Sequence, residues 1–386
     1  MRILHLIKTT EGATWALRQI KVLLDLGCQI DVVLPNLNHH ANDYIAAGAR
    51  VHVLNVDVVQ VKNPIRFLKS VLSFRQLIKQ TNPDLIHSHF VGTTLFMRFA
   101  LFFSKIPKIF QVAGPLHLEK TLTRQLDIRS ASSHDYWIAT CHRTRQYYLE
   151  SGIQPSKVGF SFYGTDLTQI KSYPAGKLRT ELGISLDQKI VGMVAFCYPP
   201  KKWLGQERGL KGHEDLIDAM VKVIEQRPEV VCVIIGGAWG KSEEYYESVK
   251  KYGKDRLGDQ VVFLGTRRDV PQLYPDFDMV VHPSHSENLG GAAESLILGI
   301  PTIASNTGGF PDIVVDGKTG LLFEPKNIDM LAQKINQMLD DPIEAKKMAE
   351  NGHELVIKAL DVNQTAKHVF DFYQHVLSEE KNETPR

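Results

Sequence analysis

Two carboxylates, Glu287 and Glu294, bracket a pair of glycines, Gly290 and Gly291, with six residues between the acids. Around them the sequence reads as an apolar strand, Met279–Val281, a polar loop from His282 to Asn288, and a helix from about Gly290 to Leu298 that Gly299 stops. A first turn of Gly-Gly-Ala-Ala leaves the N–H groups of that helix end uncovered. Such an end carries partial positive charge and free donors, so a phosphate can sit directly on it. Glu294 falls one turn in, on the same face as the glycines. It is unsuited to holding a phosphate but suited to accepting hydrogen bonds from hydroxyls attached to one, as on a ribose. Glu287, in the loop, would face whatever lies beyond the phosphates. The competing reading is an ordinary strand-loop-helix with glycines chosen for packing. Two acids around a small-residue helix start, with Gly308-Gly309 after the next strand, weigh against it.

The elements that must position these groups alternate along the whole chain. Apolar strand-like runs separated by helical patterns point to parallel sheets covered on both faces. In the first half the runs are 3–7, 30–34, 51–56, 85–89, 109–112, 137–140 and 158–162; a second alternation begins at 190–195 and continues through 230–235 and 261–264. Between the two, residues 171–188 are polar with Pro174 and Gly176, which predicts a linker. With 386 residues there is room for two domains, 1–170 and 189–360, doubly wound and facing a shared cleft at their strand C-termini. The chain is read as helical from Pro342 to about Leu377, with 378–386 as a frayed tail.

Composition excludes several classes. A net charge of +2 makes no case for nucleic acid. Cys28, Cys141, Cys197 and Cys232 lie far apart, without metal-ligand or disulfide spacing, as in a reduced cytosolic protein. The first residues turn polar too soon for a signal peptide, and no apolar run approaches the ~18–20 residues needed to cross a bilayer. A cytoplasmic protein is expected. No strand is followed by Gly-x-Gly-x-x-Gly, which removes the main support for a nicotinamide-dependent oxidoreductase.

Further candidates lie at other strand ends. Gly12, after the first strand, would let backbone N–H groups approach a leaving diphosphate, and is equally readable as part of a helix cap. His87 and His89 point to one side of the fourth strand, as ligand-facing or as hydrogen-bonded structural histidines. His117 follows a strand and a Gly-Pro-Leu turn; Glu119 would orient its imidazole or simply favour a helix start. Lys211 opens the helix after the first strand of the second half, and Arg267 follows a strand ending at Gly265.

These residues together resemble glycosyltransferase family 4, retaining nucleotide-sugar transferases of the GT-B fold, over nearly the whole chain and least in the middle of the first half. That family has two glutamates separated by seven residues, where Glu287 and Glu294 here are separated by six, then an apolar helix, Gly-x-Pro, a strand and a Gly-Gly turn. The resemblance implies two Rossmann-like domains facing a cleft, with the segment 361–386 returning to the first domain. It implies that Lys211, in Lys-Gly-His, neutralises the donor diphosphate, that Glu287 and His117 act at the reacting sugar, and that Glu294, Gly290 and Gly291 hold the donor. Gly12 and Arg267 also fall on the donor side, and His89 and Glu119 on the acceptor side. The segment 306–310 would close over the donor, with Asp312 where the family often has glutamate. The family's arginine before the lysine is missing; an insertion from Phe196 to Leu210 supplies Lys201, Lys202 and Arg208 instead. Fixed cations of this kind stabilise a departing nucleotide, so neither a metal nor a cofactor is implied.

From Lys62 to Lys108 there are eight Lys or Arg against one acid, Asp84, interleaved with Phe67, Leu68, Phe74, Phe99, Phe102 and Phe103. Such a surface can rest on anionic lipid headgroups, on the inner face of a membrane; the alternative is a core of aromatics beside solvated cations. The reading that follows is a hexosyl- or related glycosyltransferase using a UDP- or GDP-sugar. Its acceptor would be a sugar or lipid-linked sugar, in cell-surface polysaccharide or glycolipid synthesis. A nucleotide-sugar epimerase on the same fold and a catalytically dead sugar-nucleotide-binding protein are the rivals.

Overall fold

In the computed structural model, residues 1–202 and 205–383 are described. The chain divides into two compact units, Met1–Leu167 with Ala359–Arg386 and Thr168–Lys358. In the first, β1 (Arg2–Leu6), β2 (Gln29–Leu34), β3 (Arg50–Val53), β4 (Leu85–Ser88), β5 (Lys108–Val112), β6 (Asp135–Ala139) and β7 (Val158–Phe160) form a sheet in the order 3-2-1-4-5-6-7. In the second, β8 (Lys189–Val194), β9 (Val230–Ile235), β10 (Val261–Phe263), β11 (Met279–His282), β12 (Thr302–Ser305) and β13 (Leu321–Phe323) pair in the order 10-9-8-11-12-13. All of these pairings are parallel.

The strands form for the reason their composition announces. β9, Val-Val-Cys-Val-Ile-Ile, is β-branched-rich and buried along its whole length. Its alternate residues serve two cores: Val230, Cys232 and Ile234 join Leu216 and Met220 on one face, while Val231, Val233 and Ile235 join Tyr274 and Phe277 on the other. Strand order reverses at β1/β4 and at β8/β11. Crevices outside the strand C-termini at such points are where open α/β sheets bind ligands.

Two segments differ from their sequence reading. Within 171–188, Lys177–Leu182 is a helix, held because Asp276 accepts hydrogen bonds from the N–H groups of Gly176 and Leu178, both at 2.6 Å. The last helix runs from Val362 to Glu383 rather than fraying after Leu377. It lies on the Thr14–Asp25 helix and β7 and buries Val369, Tyr373 and Val376. Its final turns are tied down by Glu380, which bonds His134 Nδ1 at 2.6 Å and accepts from the Tyr136 hydroxyl at 3.0 Å. The rest of the proposed tail, 384–386, lies outside the described residues.

Candidate functional site

At the C-terminal ends of β8 and β11, the second unit holds a cavity of about 300 Å³. Glu287, Gly290, Gly291, Glu294, Lys211 and Arg267 line it, joined by Tyr198, Thr266, His282 and Phe310. The floor is the start of the Gly290–Ile297 helix, which no side chain caps and whose first turn carries no acid. Its N–H groups therefore keep their partial positive charge toward the cavity. Side chains are excluded there by packing. A Cβ on Gly291 would lie 2.9 Å from His282 Cε1 and 3.3 Å from the Val194 carbonyl oxygen.

Lys211 and Glu287 form an ion pair in this cavity. The second Glu287 oxygen accepts from the Asn288 N–H at 3.1 Å, and the Lys211 ammonium lies 5.7 Å from the Tyr198 ring centroid. Burial, and then the charge of Glu287, push the Tyr198 hydroxyl up to about 12. The Glu287 carbonyl is fixed by the Gly309 N–H, at 3.2 Å. Glu294 reaches solvent through the cavity, yet protein crowds its carboxyl and raises its pKa; the Tyr274 hydroxyl, donating at 3.1 Å, pulls the other way. His282 is held neutral, its pKa lowered to about 3 by burial and then by Lys211, and it bonds Ser295 Oγ at 3.0 Å. The site thus offers a helix terminus and a cation for an anion, with a carboxylate placed to accept from hydroxyls.

Not every cation of the sequence reading arrives here. Arg208 turns to the His213–Gln226 helix that follows it: its guanidinium pairs with Asp215 at 2.8 Å and Asp218 at 2.7 Å, and it does not line the cavity. Lys202 is exposed and also outside the lining; Trp203 and Leu204 beside it lie outside the described residues. Arg267 lines the cavity with its guanidinium already forked onto Glu181, at 2.5 and 3.0 Å, and onto Asp269, at 2.8 Å through both nitrogens. Tyr198, Tyr274 and His282 were not singled out in the sequence. His282 could have been, as the last residue of a strand that opens onto a glycine-rich helix; Tyr274 carries no such signal.

The remaining candidates belong to the first unit. Gly12 adopts φ +70° just before the Thr14–Asp25 helix, with open space where a Cβ would stand. His117 sits on a short helix, Leu116–Glu119, with Nε2 3.2 Å from Asp127. That carboxylate is a hub: Arg98 and the Tyr148 hydroxyl also donate to it, each at 2.7 Å. Burial works to raise the Asp127 pKa, but the His117 bond and the Arg98 charge more than offset it and hold the group below the usual carboxylate range.

His89, read on the acceptor side, lies in the core of the first unit. It is completely buried, its Nδ1 2.9 Å from the Tyr163 hydroxyl and its Nε2 2.9 Å from His5 Nδ1. The rings of His5, His87 and His89 stack with centroids 4.2 to 5.2 Å apart. Burial keeps all three neutral, with His5 lowered to about 3. The basic segment divides in the same way. Arg98 and Lys108 are core residues facing Asp127 and Asp135, and Phe67 and Phe74 are buried, while Phe99, Phe102 and Phe103 are exposed.

Two families match this chain: Glycosyltransferase Family 4 over residues 12–169 and Glycosyl transferases group 1 over residues 204–355. A lipopolysaccharide core biosynthesis mannosyltransferase of Rhizobium meliloti is 25% identical over 186 residues, 46% of this chain and 53% of that protein. A D-inositol 3-phosphate glycosyltransferase of Corynebacterium aurimucosum is 31% identical over 182 residues, 45% of this chain and 40% of that one. The chain spans about half the length of the curated relatives it matches. HepE from Anabaena, solved in complex with UDP and glucose, superposes with a TM-score of 0.78 at 21% identity, covering 97% of this chain and 99% of that one. At that identity the likeness establishes the architecture, which is GT-B. With both halves matched, each to a family of the same kind, the chain belongs to the family 4 type of glycosyltransferases.

Proposed function

We propose that the cavity of the second unit binds a nucleoside diphosphate sugar and that the protein transfers the sugar to an acceptor hydroxyl with retention at the anomeric carbon. One observation carries this reading: the uncapped Gly290–Ile297 helix start, Lys211 and Glu294 all open into the same cavity. The diphosphate would rest on the N–H groups of Gly290 and Gly291, with Lys211 over its developing charge and Glu294 accepting from the ribose hydroxyls. Glu287 is assigned to the sugar end, where its ion pair with Lys211 sets its position. The structures of HepE with UDP and with UDP-glucose support UDP as the first nucleotide to test; GDP follows only from the sequence reading. On the first unit, the Gly12 turn is assigned to the donor, His117 with Asp127 behind it to the reacting sugar, and Glu119 to the acceptor. The acceptor is proposed to be a sugar or lipid-linked sugar of a cell-surface polysaccharide or glycolipid, met by a cytoplasmic enzyme. Among the described residues, no helix is long and apolar enough to cross a membrane.

The test is thermal stabilisation by a panel of UDP- and GDP-sugars, followed by product analysis with the donor that stabilises most. A rise in Tm for at least one nucleotide sugar, larger than for the nucleoside monophosphate, is expected. A flat response across the panel refutes the proposal. Consumption of the donor with no acceptor present would instead point to an epimerase.

A further inference from the structure

The first unit carries an apolar face that its own fold leaves uncovered. The Pro64–Thr81 helix buries one stripe, Phe67, Val71, Phe74, Leu77 and Ile78, yet its first turns present a second one outward. Ile65, Leu68 and Leu72, at helical spacing on one side, are all exposed, Ile65 by 72%. Beside them lies the end of the Val91–Ala100 helix. Arg75 Nε donates to the Ala100 carbonyl at 2.7 Å, and the rings of Phe67 and Phe99 approach to 5.2 Å. Beyond Ala100 the turn projects Phe102 and Phe103, exposed by 69% and 92% with their rings packed edge to face at 5.0 Å. Exposed apolar residues scattered singly are ordinary, but a cluster of this density marks a surface that meets something else.

The charge around the cluster says what. Lys62, Arg66, Lys69, Arg75, Lys79 and Lys105 are exposed around it, and Asp84 is the lone acid from residue 58 to 108. Among the described residues, none of these six cations is ion-paired. At the edge of the face, Lys62, Arg66, Asn63 and Lys8 line a cavity of about 510 Å³. Its one acid, Asp57, is answered by Lys8 at 3.0 Å and accepts from the Val59 N–H, so the cavity keeps a net positive charge. A protein partner would be expected to offer some fixed complementarity in shape; this surface has instead exposed cations around aromatic side chains that project from a turn.

We propose that this face docks on an anionic phospholipid bilayer, with Phe102, Phe103, Ile65, Leu68 and Leu72 entering the headgroup–acyl boundary. The cations contact lipid phosphates, and the Lys62–Arg66 cavity admits a headgroup. The proposal stands on the first unit alone and is independent of the sugar-transfer reading, since vesicle binding requires no nucleotide.

The experiment is co-sedimentation of the full chain with phosphatidylcholine vesicles, with and without phosphatidylglycerol. The wild type is expected to partition onto the phosphatidylglycerol vesicles at least tenfold more strongly. Two variants separate the contributions: Phe102→Ser with Phe103→Ser, and Lys62→Glu with Arg66→Glu and Lys69→Glu. Each should weaken binding about tenfold or more while thermal unfolding and nucleotide affinity stay at wild-type values. Equal binding to both vesicle types overturns the proposal, as does wild-type binding by both variants. Complete competition by inorganic phosphate at constant ionic strength also overturns it, in favour of a soluble anion.

Discussion

Lys211 and Glu287, 76 positions apart, are ion-paired at the lip of the cavity in the second unit. Each is the other's nearest countercharge, so neither can be altered alone without leaving a partly buried charge exposed to the other groups of the site. With a diphosphate present, the Lys211 ammonium would face two anions, and the carboxylate would hold it in place before the nucleotide leaves. Lys211→Ala is expected to lower kcat by ~10²–10³, the scale of losing one preorganised charge contact. Combined with Glu287→Gln, the loss should be less than the product of the two single losses, because the groups act as a unit. Multiplicative effects in a double-mutant cycle on kcat would show that the pair is not a working one.

Glu294 is crowded enough for its pKa to rise, while Tyr274 donates to it. A carboxylate that accepts from ribose hydroxyls does so best ionised. Glu294→Ala is expected to weaken nucleotide affinity about 10- to 100-fold, the range for a hydrogen bond to a charged group. Since burial raises its pKa, affinity in the wild type should start to fall at a higher pH than an ordinary glutamate would impose as the solution is acidified. Calorimetric titration of UDP and GDP against both proteins, at neutral and mildly acidic pH, measures both effects. Unchanged affinity in the variant removes Glu294 from the ribose.

What the sequence showed and what it hid follow from the range of the forces involved. Strand-helix alternation and the Gly290–Glu294 start are local patterns, and both are legible. The fates of cations are not. Arg98 and Lys108 look like members of a basic surface until Asp127 and Asp135 fold onto them. Arg208 had a closer signal: the two acids it meets, Asp215 and Asp218, lie only seven and ten residues ahead along the same chain. For His87 and His89 the period of two gave the shared side correctly. It could not say that this side was core, because that depends on Tyr163 and Tyr373 arriving from distant segments.

Five histidines buried in the neutral form give the fold an acid sensitivity of definite sign. His5, His87 and His89 in the first unit, and His213 and His282 in the second, all have pKa values lowered by burial, with His213 at about 4 and His282 at about 3. In the unfolded chain each returns to ~6.5, so below that pH the unfolded state binds protons that the folded state refuses. Stability is therefore complete above ~6.5 and falls as pH drops toward the folded-state values. At pH 5.5 each such histidine costs of order 1 kcal/mol relative to pH 7.5, so the three of the first unit together lower its stability by a few kcal/mol. Urea unfolding at the two pH values measures this. His282→Asn should remove about one histidine's share of the pH dependence in the second unit, and an unaltered slope would mean that His282 already takes up a proton in the folded state.

Gly308 tests whether the loop after β12 sets the position of Glu287. It adopts φ +57°, and a Cβ added there would stand 1.7 Å from the Glu287 carbonyl oxygen, a contact with backbone that no side-chain rotation relieves. The neighbouring Gly309 N–H donates to that same carbonyl at 3.2 Å, so the two glycines clamp the loop carrying the acid. Gly308→Ala must push Glu287 out of place as well as bear the strain of a left-handed residue, of order 1–3 kcal/mol. Gly317→Ala, away from the cavity lining, has similar backbone strain, at φ +70°, with nothing in the way of the added carbon. Both variants should lose stability by thermal unfolding, Gly308→Ala by more because of the backbone clash. Only Gly308→Ala should also lose turnover on the ~10²-fold scale set by a misplaced catalytic group. Equal turnover in the two would mean that the Gly308-Gly309 turn supports the fold without placing the acid.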